Sequence, residues 1–299
     1  VNLALIIALT VHLVGLWNVL PNAVREHIIA GAYIEPVTVV KLSTIVPTRQ
    51  ANPTPLATEA NASIYAVDAA SGQVLYAQNE LKPRPIASIT KLMTVMVALG
   101  SHKTDEIITV GSLPNYEAGA ERMGLVAGQQ FRFDDLLKAT LIASDNDAAD
   151  AIAISTSGTL PAFYAAMNAK AAQWGMTTAH FVSANGLNDV GNSVSAADVA
   201  RLGMLDLTNH EVKNLIATPV TSISDLAGRT YTLPTTNQLL ATGRFYGIKT
   251  GYTLAAGQCF VGLTKVHDHE VITVVLGSTD RFGQTQTLVN WIESNWSWL

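Results

Sequence analysis

Three short segments carry residue types and spacings that could do covalent chemistry. In PIASITKLM, residues 85–93, Ser88 and Lys91 stand three apart, which on a helix puts both side chains on one face. Pro85 forces an extended approach, so Ser88 falls in the first helical turn, where unpaired backbone N–H groups point outward. A serine there can attack a carbonyl while its own N–H helps to hold the developing oxyanion. Its base would be Lys91, the only charge in ITKLMTVMVAL. A helix that apolar around its circumference is buried, and a buried ammonium is costly unless it is paired or gives up its proton. Bringing a lysine from about 10.4 to near 7 takes about 4–5 kcal/mol of differential destabilisation, which burial and a second cation can supply. The alternative is a helix-capping serine beside a snorkelling lysine.

The second segment is SDNDAAD, where Ser144, Asp145 and Asn146 lie between two helical patterns. Such a corner can aim a hydroxyl and a carboxamide into a cleft, or can simply cap a helix. Ser183 and Asn185 repeat the Ser-x-Asn spacing, but Gly186-Leu187 follows and implies a structural turn. The third segment is FYGIKTGYTLAAGQCF, with Lys249, Thr250 and Gly251. Gly247 and the strand after it imply an edge strand whose backbone is open to a ligand. Lys249 and Thr250 together could bind a carboxylate, and Lys249 would be the second cation that depresses Lys91.

The elements that must position these groups can be read from periodicity. Residues 62–78, ASIYAVDAASGQVLYAQ, predict two strands with a turn at Ala70-Ser71-Gly72. Helices are predicted from about Phe133 to a break at Ser144, from about Asn146, and over 161–174, 195–206 and 210–217. QCFVGLTKV and EVITVVLGS are strand-like, and Leu288, Trp291 and Ile292 of the last segment have helical spacing. Strands at both ends with helices between them imply an α+β domain, its antiparallel sheet made where the two chain ends pair and flanked by a helical subdomain. The tryptophans of the last segment are expected on a closing helix packed on that sheet.

With 299 residues, 14% of them charged and a formal charge of −5, the chain has ample apolar material for a core and no basic face for nucleic acid. Its single cysteine, Cys259, excludes an intramolecular disulfide and any multi-cysteine metal site, and reads as a small core residue. Residues 3–20, LALIIALTVHLVGLWNVL, form an uncharged apolar run about as long as a bilayer is thick. They read as a transmembrane anchor or signal segment, residues 21–60 as a Pro/Thr-rich linker, and 61–299 as the globular domain.

The order Ser-x-x-Lys, Ser-x-Asn, Lys-Thr-Gly resembles that of the penicillin-recognising serine enzymes. Within them the chain looks like the D-alanyl-D-alanine carboxypeptidase family of low-molecular-mass penicillin-binding proteins, over about residues 61 to 296. The likeness includes VDAASGQVLYAQNELKPRPIASITKLMT, RMGLVAGQQFRFDDLLKATLIASDNDAA, FVSANGLND, TNQLL, GIKTGYTLAAG and VVLGSTDRFGQTQTLVNWI. It implies a β-lactamase/transpeptidase-like fold with Ser88 as acylated nucleophile and Lys91 as its base. Ser144 and Asn146 would relay a proton and hold the substrate amide. Lys249 and Thr250 would grip a terminal carboxylate, with Arg281 near it, though a surface arginine is as good a reading of Arg281. Backbone N–H groups of Ser88 and of Tyr252, next to Gly251, would form the oxyanion hole. The implied substrate is a peptidoglycan stem peptide ending in D-Ala-D-Ala, with β-lactams as covalent inhibitors and no metal or organic cofactor. The enzyme would work at the outer face of the cytoplasmic membrane, with residues 3–20 as its evident tether, because the likeness stops at the closing helix.

A D-alanyl-D-alanine endopeptidase shares these motifs. A class A-like β-lactamase shares them too, with Ser-Asp-Asn as its usual second motif, but needs a deacylating glutamate between the second and third. The only glutamate between Asp147 and Ile248 is Glu211, whose spacing from Thr208 is that of a capping box.

Overall fold

Segments from the two ends of the chain pair with each other, as their patterning predicts. The computed structural model describes residues 45–117, 119–187 and 191–298. Among them β1 (Thr48–Arg49) precedes β2 (Ser63–Asp68) and β3 (Val74–Gln78). A largely helical block follows, with α1 (Thr90–Leu99), β4 (Ile107–Thr109), β5 (Gln130–Arg132), α2 (Phe133–Leu141), α3 (Asn146–Ser157), α4 (Leu160–Gln173), α5 (Ala196–Asp206) and α6 (His210–Ile216). The chain then forms the hairpin β6 (Val220–Ser224) and β7 (Thr230–Pro234), and next the strands β8 (Phe245–Thr253), β9 (Gly257–Val266) and β10 (His269–Ser278). It closes with α7 (Arg281–Asn295) and β11 (Trp296–Ser297).

The main sheet has the order β3-β2-β10-β9-β8 and is antiparallel throughout. Its centre is the pairing of the late strand β10 with the early strand β2, Val271 opposite Asp68 and Leu276 opposite Ser63. Side chains alternate between two cores. Ile272, Val274 and Leu276 of β10 join the core of the helical block, whereas Val271 and Val275 join Leu288, Val289 and Ile292 of α7. A sheet covered on both faces has no polar side to show, which is why β9 and β10 read as nearly continuous apolar runs. Cys259 is fully buried in β9.

α1 runs through the middle of the block and touches α2, α3, α4 and α5. Leu92, Met93 and Val95 are buried within it, each contributing roughly 1.5–3 kcal/mol. This accounts for its near-absence of charge, and it places Lys91 in the interior.

Two expectations change. The predicted spacer does not stay free up to residue 60. β1 pairs with β11, Thr54 N donates to Asn295 Oδ1 (2.9 Å), and Trp291 Nε1 donates to Thr54 O (2.6 Å). Proline removes donors from this segment but leaves its carbonyls, and a buried indole N–H needs an acceptor. Farther along, the Glu59 carboxylate accepts from Ser278 Oγ and from the backbone N–H and hydroxyl of Thr279. The second change is at α6, whose cap is Asn209 and not Thr208. Asn209 Oδ1 accepts from Glu211 N and Val212 N, while the Thr208 hydroxyl turns back to donate to Leu205 O. The apolar run 3–20 and the early part of the linker lie outside the described residues. Among the described residues no helix is long and apolar enough to cross a membrane.

Candidate active site

Ser88 sits in a single 3-10 turn, Ala87–Ile89, that leads directly into α1. The turn is reached through a left-handed residue, Ala87 at φ 48°, a conformation that costs a non-glycine residue of order 1 kcal/mol or more and must be held by its surroundings. Two glycines hold it. A Cβ on Gly186 would lie 2.1 Å from Ala87 O, and one on Gly251 would lie 2.7 Å from Ile86 O and 3.1 Å from Ser88 N. The glycine of Lys-Thr-Gly is therefore a contact requirement, since β8 can approach the serine turn this closely only without a side chain.

Lys91 is completely buried. Its Nζ lies 2.8 Å from Ser88 Oγ, 2.7 Å from Asn146 Oδ1 and 2.7 Å from the backbone oxygen of Asn185. The orientation of the Asn146 amide follows from its other end, where Nδ2 donates to Glu121 O at 2.8 Å. Two of the three partners of Lys91 are carbonyl oxygens, which can only accept, and the third is a hydroxyl, which can also donate. When the amine is neutral its two N–H bonds go to the carbonyls, and its lone pair is left facing the hydroxyl of Ser88. That is the geometry of a base poised on a nucleophile.

Burial pushes Lys91 down to about 8, while the carboxylates of Asp150, Asp145 and Glu121 pull it back up. Lys249 is likewise held well below the ordinary lysine range, first by burial and then by the charges of Lys91 and Arg281, and the repulsion between the two lysines acts on both. An entering carboxylate would relieve this excess of buried positive charge.

The second segment forms the predicted corner. Ser144, at φ 62°, breaks the chain between α2 and α3, and Asp145 caps α3 by accepting from Ala148 N at 2.8 Å. Ser144 and Asn146 line the cleft, but Ser144 is not among the partners of Lys91.

The third segment lies on β8, the free edge of the sheet, as predicted. Lys249 is buried and directs Nζ toward Thr250 O (3.3 Å), and the hydroxyls of Thr250 and Thr236 are hydrogen-bonded. Arg281, at the start of α7, donates from Nη1 to Gly251 O at 2.9 Å, so it is not a stray surface arginine. These elements enclose a cleft of about 160 Å³ lined by Ser88, Ser144, Asn146, Thr250, Gly251, Tyr252 and Arg281, together with Glu121, Leu187 and Thr236. Lys91 and Lys249 stand behind its wall. Glu211 is not part of it and lies beside Asp134 at the start of α6.

Sequence reasoning assigned no role to the Asn185 carbonyl, to Glu121, to Thr236 or to Asp150. A backbone carbonyl leaves no mark in the sequence. Asp150 did leave one, since it follows Asn146 by four residues and so lies on the same helix face. Among the described residues no group of three or more His, Cys, Asp or Glu is arranged to hold a metal ion.

The profile of the D-alanyl-D-alanine carboxypeptidase family matches residues 48–280. The chain is 33% identical over 245 residues to a D-alanyl-D-alanine endopeptidase of Escherichia coli (strain K12), a match that covers 79% of this chain and 78% of that protein. It is also 33% identical over 241 residues to the D-alanyl-D-alanine carboxypeptidase DacC of the same organism, covering 75% of this chain and 59% of DacC. The crystal structure of a D-alanyl-D-alanine carboxypeptidase from Mycobacterium tuberculosis H37Rv superposes with a TM-score of 0.74 at 25% identity, over 82% of this chain and 95% of that one.

Proposed function

The chain belongs to the D-alanyl-D-alanine carboxypeptidase family, and from that premise we propose that it is a serine peptidase that removes the terminal D-alanine of peptidoglycan stem peptides through an acyl-enzyme on Ser88. Neutral Lys91 takes the hydroxyl proton as Ser88 Oγ attacks the carbonyl of the penultimate D-alanine. The backbone N–H groups of Ser88 and Tyr252 hold the oxyanion. The C–N bond breaks and the departing amine takes the proton, passed on through Ser144, while Asn146 holds the substrate amide. Water then attacks the ester, Lys91 takes its proton and returns it to Ser88 Oγ as the C–O bond to the acyl group breaks, and the shortened peptide leaves. Lys249, Thr250 and Arg281 bind the terminal carboxylate, which offsets the positive charge gathered behind the cleft. Penicillins acylate Ser88 in the same way. We place the enzyme in the cell envelope, on the outer face of the cytoplasmic membrane, with residues 3–20 as its anchor.

The observation that carries this reading is the contact of fully buried Lys91 with Ser88 Oγ at 2.8 Å, with two carbonyls holding its remaining donors. The test is labelling of the purified protein with fluorescent penicillin. Wild type should form a stable covalent adduct and Ser88→Ala none; no adduct in wild type, or equal labelling of both, overturns the reading. A second reading, cleavage of D-alanyl cross-links, is favoured by the match that spans 78% of the E. coli endopeptidase. Product analysis on a pentapeptide and on a cross-linked muropeptide separates the two. Rapid turnover of penicillin would point instead to a β-lactamase.

A further inference from the structure

Behind Lys91 lies a buried polar ladder that the mechanism above does not use. Asp150, one turn beyond Asn146 on α3, is 1% exposed. Its Oδ2 accepts from the Tyr116 hydroxyl at 2.8 Å and from Asn185 Nδ2 at 2.7 Å, while its Oδ1 is buried without a partner. The opposite end of the Asn185 side chain accepts from Ser183 Oγ (2.9 Å) and Leu187 N (2.8 Å). With both ends of that amide fixed, the Asn185 backbone oxygen is held where Lys91 donates to it. The ladder thus runs from Tyr116 through Asp150, Asn185 and Lys91 to Ser88.

A base in this position faces opposing demands. It must be neutral to take the serine proton, yet basic enough to keep that proton until the leaving amine needs it. Burial serves the first demand and works against the second. We infer that Asp150 is a positioning residue that supplies the balance: through Asn185 it fixes the carbonyl that orients Lys91, and its negative charge keeps the buried amine basic. The inference rests on the acyl-enzyme reading of Ser88 and Lys91.

The titratable groups facing Asp150 are Lys91 from α1, Tyr116 from the segment before β5, Tyr164 from α4, and Asp147 on its own helix. Lys91 is the one cation in that set. Burial lifts Asp150 to about 6, opposed by its hydrogen bonds and by Lys91, so it is ionised where Lys91 titrates near 8. The sign follows: the carboxylate favours the ammonium, and without it Lys91 loses its proton at lower pH.

The test is the pH dependence of the acylation rate with fluorescent penicillin for wild type, Asp150→Asn and Tyr116→Phe. Asn keeps the shape, its Oδ1 can replace the oxygen that accepts from Tyr116 and Asn185, and its amide occupies the side that has no partner. The acid limb should move down by about one pH unit in Asp150→Asn, as expected for a nearby charge at an effective dielectric near 20. The shift should be smaller but in the same direction in Tyr116→Phe, whose Asp150 loses one stabilising donor. The plateau above pH 9 should be retained. Limbs that coincide with wild type in both variants, or a uniform loss of rate at every pH with no shift, overturn the inference. Absence of any adduct in wild type overturns the acyl-enzyme reading itself, so the two failures are distinguishable.

Discussion

Gly251→Ala tests the closest contact in the site. Its Cβ would lie 2.7 Å from Ile86 O and 3.1 Å from both Ala87 Cβ and Ser88 N. Ordinary contact begins near 3.4 Å, so the strand or the serine turn must give way by roughly 0.7 Å. Neither can do so by rotating a side chain, because Ile86 O and Ser88 N are backbone. β8 is also tied to β9, with Gly251 opposite Cys259, so the displacement falls on the turn that carries Ser88. A shift of this size separates the two N–H groups assigned to the oxyanion hole, and losing one such donor costs about 10²–10³ in rate. The overpacking should also cost about 1–3 kcal/mol of stability. The assay is the second-order rate of acylation by fluorescent penicillin, paired with urea unfolding. Gly111→Ala is the control, since its Cβ would meet Ile154 Cγ2 at an ordinary 3.5 Å. Acylation of Gly251→Ala within about three-fold of wild type, against an expected loss of two orders of magnitude, would refute the claim that this approach sets the nucleophile.

Two further outcomes are expected. Lys249→Met should raise KM for a peptide with a free terminal carboxylate by about 10–100-fold, the value of a charge-assisted hydrogen bond, and should change little for the same peptide amidated at its C-terminus. Equal losses on both peptides would remove carboxylate binding as its role. Asp206 at the end of α5 is fully buried with both carboxylate oxygens unpartnered, and burial raises it well above the usual range. The folded chain keeps a proton that the unfolded chain releases above about pH 4, so stability falls with rising pH by up to about 1.4 kcal/mol per unit until the folded-state pKa is reached. Asp206→Leu should therefore stabilise the protein more at pH 8 than at pH 5 in urea unfolding, and an equal gain at both pH values would contradict this account.

Much of the molecule was legible from local pattern. Ser88 and Lys91 at helical spacing, the apolar α1 that buries the lysine, the break at Ser144, the edge position of Lys-Thr-Gly and the pairing of the chain ends all follow from periodicity and from the conformational limits of individual residues. These are short-range properties, set by which side chains can face water and which backbone groups a residue leaves unpaired. What only the tertiary structure decided involves groups distant in sequence. The third partner of Lys91 is a carbonyl 94 residues away, and the spacer before residue 60 is held by a tryptophan 237 residues on. Lys91 is lowered by burial against the pull of three carboxylates, and Lys249 by burial and by the charges of Lys91 and Arg281. Burial, field and backbone approach depend on what folding brings near, and no spacing within one segment encodes them.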